Sequence, residues 1–272
     1  MEYFGINWQI GRSWGNHHPD HICWNSPESI IYGKDWLGLG IDYKPMDFIV
    51  PGYINPDAED PEDAHKKHYP WSVGYLSSTD VFKYGYFRVD FKLPIGNHLW
   101  PAIWLSDCKT WPPEIDIVEG WTGSYNWPIF KPKSTSRMYR VNPFANRIFP
   151  GVHLGTNPKE HWGKSYTKFR GTYPCYLNIP GYNICELIWT PDRLIVYYNS
   201  HKVMDETDPE ILKYYNNSEG MCIHLNNYVT NDFTPDDYNQ MEKNRNKDFC
   251  KWFYIYNVQY SPDYKNYLIG IK

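Results

Sequence analysis

The chain has 272 residues and a mean hydropathy of −0.65, and no apolar run in it approaches the roughly 18 residues of a membrane span. Its 13 Trp, 25 Tyr and 12 Phe exclude a disordered or low-complexity chain, and no linker-like stretch divides residues 1–272, so one domain is expected. With 27 Lys and Arg against 31 Asp and Glu, the net charge of −4 argues against a general nucleic-acid binder.

Read in chain order, MEYFGINWQIGRSW lacks the basic start and apolar core of a signal peptide. An extracellular or periplasmic protein would need a leader already removed, and the compartment stays open. Trp36–Ile41 is a predicted strand, and DAEDPED at 57–63 concentrates five acids. In Tyr86–Leu93, alternation places Phe87, Val89, Phe91 and Leu93 on one face and Tyr86, Arg88, Asp90 and Lys92 on the other. Ala102–Leu105, Met221–Leu225 and Phe249–Tyr260 are further predicted strands. Cys185–Thr190 and Arg193–Asn199 flank a Pro191-Asp192 turn and read as a hairpin, and Asn199-Ser200 turns the chain again. One short helix is expected, with Asp208 as N-cap and Pro209 in the first position before Glu210–Tyr215. Gly120–Asn183 is rich in Pro, Gly and Asn and reads as a long functional loop. Many short strands with close turn signals argue an all-β sandwich or barrel. The six cysteines show no CxxC spacing, which disfavours zinc, and their even number permits disulfides without requiring them.

The segment HLWPAIWLSDCKTWPPEIDIVEGW, His98–Trp121, carries the chemistry. In EIDIVE, strand geometry puts Glu114 and Asp116 on one face with Ile115 and Ile117 on the other. Strict alternation would then send Val118, not Glu119, to the acidic face. A single bulge at Ile117-Val118 resets the phase and brings Glu119 beside its partners. Glu114 and Glu119 would then be about four strand steps apart, roughly 13 Å between backbones. Side chains leaning together would close that gap to roughly 5 Å, the separation of a retaining glycosidase. Asp116 between them could hydrogen-bond the nucleophile and raise a neighbouring acid's pKa. An exposed edge strand guarded by acids would explain the carboxylates, but not Ile115, Ile117 and Val118 flanked by Trp111 and Trp121.

EIDIVE resembles the E-x-D-x-x-E signature of glycoside hydrolase family 16, and Leu99–Trp104 resembles that family's LWPAxW strand. Tyr84–Pro94, Ile188–Val203 and Phe253–Tyr260 are similar to further strands of the family, so the resemblance covers about Trp36 to Tyr260. It implies a β-jelly-roll of two curved antiparallel sheets with a concave sugar-binding cleft. It also implies that Glu114 is the nucleophile, Glu119 the general acid and base, and Asp116 the assisting carboxylate. Trp100 and Trp121 would line the cleft, with His153 a cleft histidine and Trp104 a further candidate that could instead face the core. No cofactor is expected to be required and no catalytic metal, although a structural calcium is possible. The expected partner is a polysaccharide, with neither nucleic acid nor membrane, and the expected state is a monomer.

The residues leave the substrate open. Members of the family cleave β-1,3- or mixed-linkage β-glucans, and others cleave red-algal galactans, some sulfated. From Lys131 to Arg170 there are nine bases and one acid. Arg137 and Arg140 could meet sulfate there, or the stretch is simply solvated. A β-1,3- or mixed-linkage glucan is expected first, a galactan such as agarose, porphyran or carrageenan second, and a non-catalytic binding sandwich third.

Overall fold

The computed structural model describes residues 1–12, 17–121, 147–155, 159–165, 177, 181–243 and 250–267. Its strands are β1 (Glu2–Tyr3), β2 (Ile6–Ile10), β3 (Cys23–Asn25), β4 (Ile30–Tyr32), β5 (Leu37–Leu39), β6 (Ile41–Ile49), β7 (Lys66–Val73), β8 (Tyr75–Ser78) and β9 (Gly85–Lys92). They continue with β10 (Leu99–Asp107), β11 (Glu114–Trp121), β12 (Arg147–Gly155), β13 (His161–Ser165), β14 (Asn183–Thr190), β15 (Arg193–Tyr198), β16 (His201–Glu206), β17 (Met221–Val229) and β18 (Phe253–Ser261). Two α-helices are described, α1 (Pro209–Asn217) and α2 (Pro235–Lys243).

An eight-stranded sheet in the order β1-β2-β8-β17-β10-β11-β12-β13 faces a seven-stranded sheet, β16-β15-β14-β9-β18-β5-β4. Both are antiparallel throughout, which is the expected sandwich of two sheets. A third, three-stranded sheet, β3-β7-β6, adds one parallel pairing, β3 with β7. Alternation fills the space between the large sheets. Phe87, Val89 and Phe91 from β9 meet Ile103 and Leu105 from β10 and Ile115 from β11, all buried in one cluster. Burying side chains of this size contributes about 1.5–3 kcal/mol each.

Local signals explain most of these elements. Asn199 and Ser200 both take positive φ, 47° and 69°, the paired left-handed conformation of a tight hairpin turn between β15 and β16. Asp208 caps α1 by accepting from the Glu210 N–H at 2.9 Å. A disulfide joins Cys108, just beyond β10, to Cys222 at the start of β17.

Three expectations need correction. The expected single helix has a companion, α2, whose first turn is capped by Thr234 and Asp237 exchanging hydrogen bonds. The stretch expected as one long loop, Gly120–Asn183, contains β12 and β13, because their hydrogen bonds come from β11 and from each other despite few alternating apolar residues. The outer face of β9 is not left to solvent at Tyr86, which is buried with Ile188 and Ile195 under Tyr264. No helix among the described residues is long and apolar enough to cross a membrane.

Candidate active site

β11 lies near the middle of the larger sheet, with β10 on one side and β12 on the other. Across β10, Ile103 pairs with Val118 and Trp104 with Asp116, so Ile117 is the extra residue. Across β12, Asp116 pairs with Gly151 and Glu119 with Phe149. Ile117 and Val118 both turn into the core, at 1% and 0% exposure, and that double inward step returns Glu119 to the side of Glu114 and Asp116. The surroundings support the bulge. The buried Tyr198 hydroxyl donates to the Ile117 carbonyl at 2.6 Å, and Pro150, with no N–H to offer a ladder, is the residue of β12 that faces it.

Each carboxyl has a defined neighbour. The Trp111 indole N–H donates to Glu114 Oε2 at 2.8 Å, and the Trp100 indole N–H donates to Glu119 Oε1 at 3.0 Å. His153 sits opposite Glu114 in the ladder, its Nε2 3.6 Å from Glu114 Oε1 and 3.5 Å from Asp116 Oδ2. A Cβ built on Gly151 would lie 3.2 Å from Asp116 Oδ2, so the missing side chain supplies the room Asp116 occupies. From behind, the Tyr215 hydroxyl of α1 donates to the Glu114 carbonyl at 3.0 Å.

Burial sets the protonation of this group. Desolvation first, then the charges of Glu114 and Glu119, hold Asp116 well above the ordinary carboxyl range. Desolvation and the Glu114 charge push Glu119 up to about 8, against the lowering effect of the Trp100 hydrogen bond. A carboxyl that keeps its proton at neutral pH beside a second carboxyl is the pairing that acid–base chemistry requires. Glu114, Asp116 and His153 each present one ligand atom within 4.8 Å of the others, so these three could also hold a cation.

No protein-family model matches the chain. The endo-1,3-1,4-β-glycanase EglC of Rhizobium meliloti (strain 1021) is 39% identical over 149 residues, 54% of this chain and 26% of that protein. The endo-1,3-1,4-β-glycanase ExsH of the same organism is 35% identical over 98 residues, 32% of this chain and 21% of its own length. The chain therefore spans only 21–26% of the length of the curated relatives it matches. A solved family 16 glycoside hydrolase of the Bacteroides ovatus mixed-linkage glucan PUL, in complex with a G4G4G3G product, superposes with a TM-score of 0.60. That match has 18% identity and covers 96% of this chain and 98% of the other. The fold is that of glycoside hydrolase family 16.

On this family 16 fold, Glu114, Asp116, Glu119, Trp100 and His153 come together. Trp104 needs correction as a sugar-binding residue. It lies on the cleft side of β10 but is 6% exposed, donates to Asn226 Oδ1 at 2.7 Å and stacks on His224 with ring centroids 4.1 Å apart. It is floor beneath the site, because the Arg12 guanidinium covers its ring at 5.7 Å. Trp121 closes β11 opposite Arg147, and its side chain lies outside the described residues, as do Arg137 and Arg140 altogether.

The sequence reading missed the groups that surround the acids. Arg12 packs over Tyr75 and Tyr228 at 5.6 and 5.8 Å, within electrostatic reach of Glu114. His21 meets Trp100 and Tyr228 edge-on at 5.6 and 5.1 Å. Under Trp104, His224 is held by the Tyr75 hydroxyl at 3.0 Å and the Ser77 hydroxyl at 2.9 Å on Nδ1, and by Ser106 at 2.9 Å on Nε2. Burial pushes its pKa well down, so it stays neutral. Only Trp111, three residues before Glu114, carried a local signal. On the far side it packs against His161 at 4.6 Å, so rings flank the acids in both directions across the sheet.

Proposed function

We propose that this chain is a retaining, endo-acting glycoside hydrolase that cleaves internal β-1,3 or β-1,4 linkages of a β-1,3- or mixed-linkage β-glucan. The observation that carries this reading is the bulge at Ile117-Val118, which gathers Glu114, Asp116 and Glu119 on one wall with an indole N–H on each outer carboxyl. In the first displacement, Glu114 attacks the anomeric carbon and forms a glycosyl ester while Glu119 gives its proton to the departing glycosidic oxygen. In the second, the Glu119 carboxylate takes a proton from water, the resulting nucleophile attacks the same carbon, and Glu114 leaves as carboxylate. Asp116, holding a proton beside Glu114, fixes the nucleophile's orientation. Trp100 and Trp111 do the same for their partners and offer ring faces to pyranoses. The mechanism needs no cofactor. The names of the Rhizobium relatives support 1,3 and 1,4 β-linkages, and the mixed-linkage glucan locus of the Bacteroides ovatus structure supports glucan over galactan.

The test is incubation with laminarin, lichenan, agarose and carrageenan, followed by measurement of new reducing ends and of the anomer first released. Lichenan or laminarin should be cut with β-configured first products. Glu114→Gln should lose on the order of a thousandfold in kcat with an unchanged circular dichroism spectrum. Silence on all four polymers with retained binding would make the protein a binding sandwich, and α-configured first products would overturn the double displacement.

A further inference from the structure

A second recess lies where β18 of the seven-stranded sheet meets the Phe4–Gly5 turn of the eight-stranded sheet, and none of Glu114, Asp116 and Glu119 lines it. A cavity of about 670 Å³ is lined by Glu2, Phe4, Lys34, Asp35, Tyr256 and Asn257, among others. A neighbouring cavity of about 360 Å³ shares Phe4, Gly5 and Asn257 with it and adds Asp80, Gln259 and Tyr260. Together they form one groove along β18.

The topology explains why it is open. β18 pairs with β5 only through Phe253–Ile255, whereas its pairing with β9 runs on to Ser261. The Phe4–Gly5 turn, at φ 58° and 70°, borders both cavities. The β18–β9 register shifts between Ile255 and Asn257, so Tyr256 is a bulge residue, and bulges re-aim side chains. Its ring lies 15° from parallel to that of Tyr254, with centroids 6.3 Å apart. Tyr182, 49% exposed, extends the row 5.6 Å from Tyr256, and Trp36 meets Tyr254 at 5.5 Å. The row is anchored, because the Tyr182 hydroxyl donates to Asp90 Oδ2 at 2.5 Å and Arg88 clamps the other Asp90 oxygen at 2.7 Å.

Tyr256 brings this row to the groove, whose lining also holds the Asn257 and Gln259 amides and several carboxylates. With Asp90 paired to Arg88, Glu2, Asp35 and Asp80 still outnumber Lys34, so the lining repels polyanions and suits a neutral chain whose hydroxyls donate to acids and amides. Pyranose C–H faces would lie on the tyrosines. We propose that this groove is a second, non-catalytic binding site for a neutral β-glucan chain, holding the polymer beside β18 on residues that the acid cleft does not use. The inference rests on the glucan reading above and extends it to a new surface.

Affinity electrophoresis through lichenan-containing gels tests it, in a Trp100→Ala/Glu119→Gln background that removes hydrolysis and the cleft's stacking ring. Adding Tyr256→Ala should weaken retardation roughly fivefold, with circular dichroism unchanged. Lys34→Ala/Asp35→Ala, on exposed positions that tolerate change, should weaken it in the same direction. Unchanged retardation in both variants overturns the proposal, as does an equal loss in carrageenan gels. In the otherwise unmodified protein, Tyr256→Ala should keep kcat/KM on a short glucan oligosaccharide within about twofold. A larger drop there would assign Tyr256 to the cleft and overturn the second site. Absence of lichenan hydrolysis by the unmodified protein would sink the catalytic reading, whereas the retardation contrast is read in inactive proteins and judges the groove separately.

Discussion

The Trp100 indole donates to Glu119 Oε1 at 3.0 Å, and that carboxyl is the one pushed up to about 8. The ladder pairs Ala102 with Glu119, so Trp100 lies two residues along β10 on the same face. A tryptophan on one strand thus sets how easily an acid on the next gives up its proton. A hydrogen bond to a carboxylate favours the charged form, and here it opposes both burial and the Glu114 charge.

Trp100→Phe keeps a ring and removes that bond. The Glu119 pKa should then rise, and the basic limb of the kcat/KM–pH profile should move upward from its position near 8. Activity at the optimum should fall about tenfold, the loss of one charge-assisted hydrogen bond. A basic limb that stays in place would remove Glu119 as the proton donor.

The same shift makes stability pH-dependent. Glu119 is raised in the folded state, from 4.5 to about 8, so the native protein keeps a proton that the unfolded chain has released. This contribution is fully present below the unfolded value and is lost as pH rises towards the folded one, with Asp116 adding in the same direction. Melting temperature should therefore fall between about pH 5 and about pH 8, and Glu119→Gln should flatten that slope. Parallel slopes in the two proteins would contradict the buried proton.

Arg12 brings a positive charge to the cleft floor against Tyr75, Trp104 and Tyr228. Arg12→Met, which keeps much of the packing volume, should lower kcat by about tenfold or more, because it removes a buried cation within electrostatic reach of Glu114. Arg12→Lys should restore only part of the rate, since an ammonium cannot lie flat against three rings. Full activity in Arg12→Met would show that the charge has no part in the reaction.

Gly151 is the wall behind Asp116, and an added Cβ would stand 3.2 Å from Oδ2. Gly151→Ala should cost about tenfold in kcat by moving the carboxyl a few tenths of an ångström, with a melting temperature close to that of the unmodified protein. An unaffected kcat would mean that the position of Asp116 is not critical.

The acid strand was legible because its information is local. Alternation in EIDIVE conflicts with itself unless one residue is skipped, and the structure skips Ile117. The Asp208 cap of α1 and the Asn199-Ser200 turn were legible for the same reason. β12 was not, since Pro150 and Gly151 break the apolar rhythm at the very place where the bulge and Asp116 need them. α2 has only a short local signal, Thr234-Pro235 followed by Asp237, a capping pattern on a helix that buries little beyond Asp237 and Met241.

By itself, the order of residues determined which strand carries the acids, which side chains face inward and where the phase must slip, because a strand's period of two is a property of consecutive residues. Only the tertiary structure decided what surrounds those acids. Arg12, Tyr75, His224 and Tyr228 reach the site through the sheet order β2-β8-β17-β10, in which the neighbouring strands are far apart in the chain. Their packing excludes water, and exclusion of water keeps protons on Asp116 and Glu119. The aromatic excess visible in the composition was divided in the same way, into core, cleft floor and an outer row on β18, by pairings that no local pattern encodes.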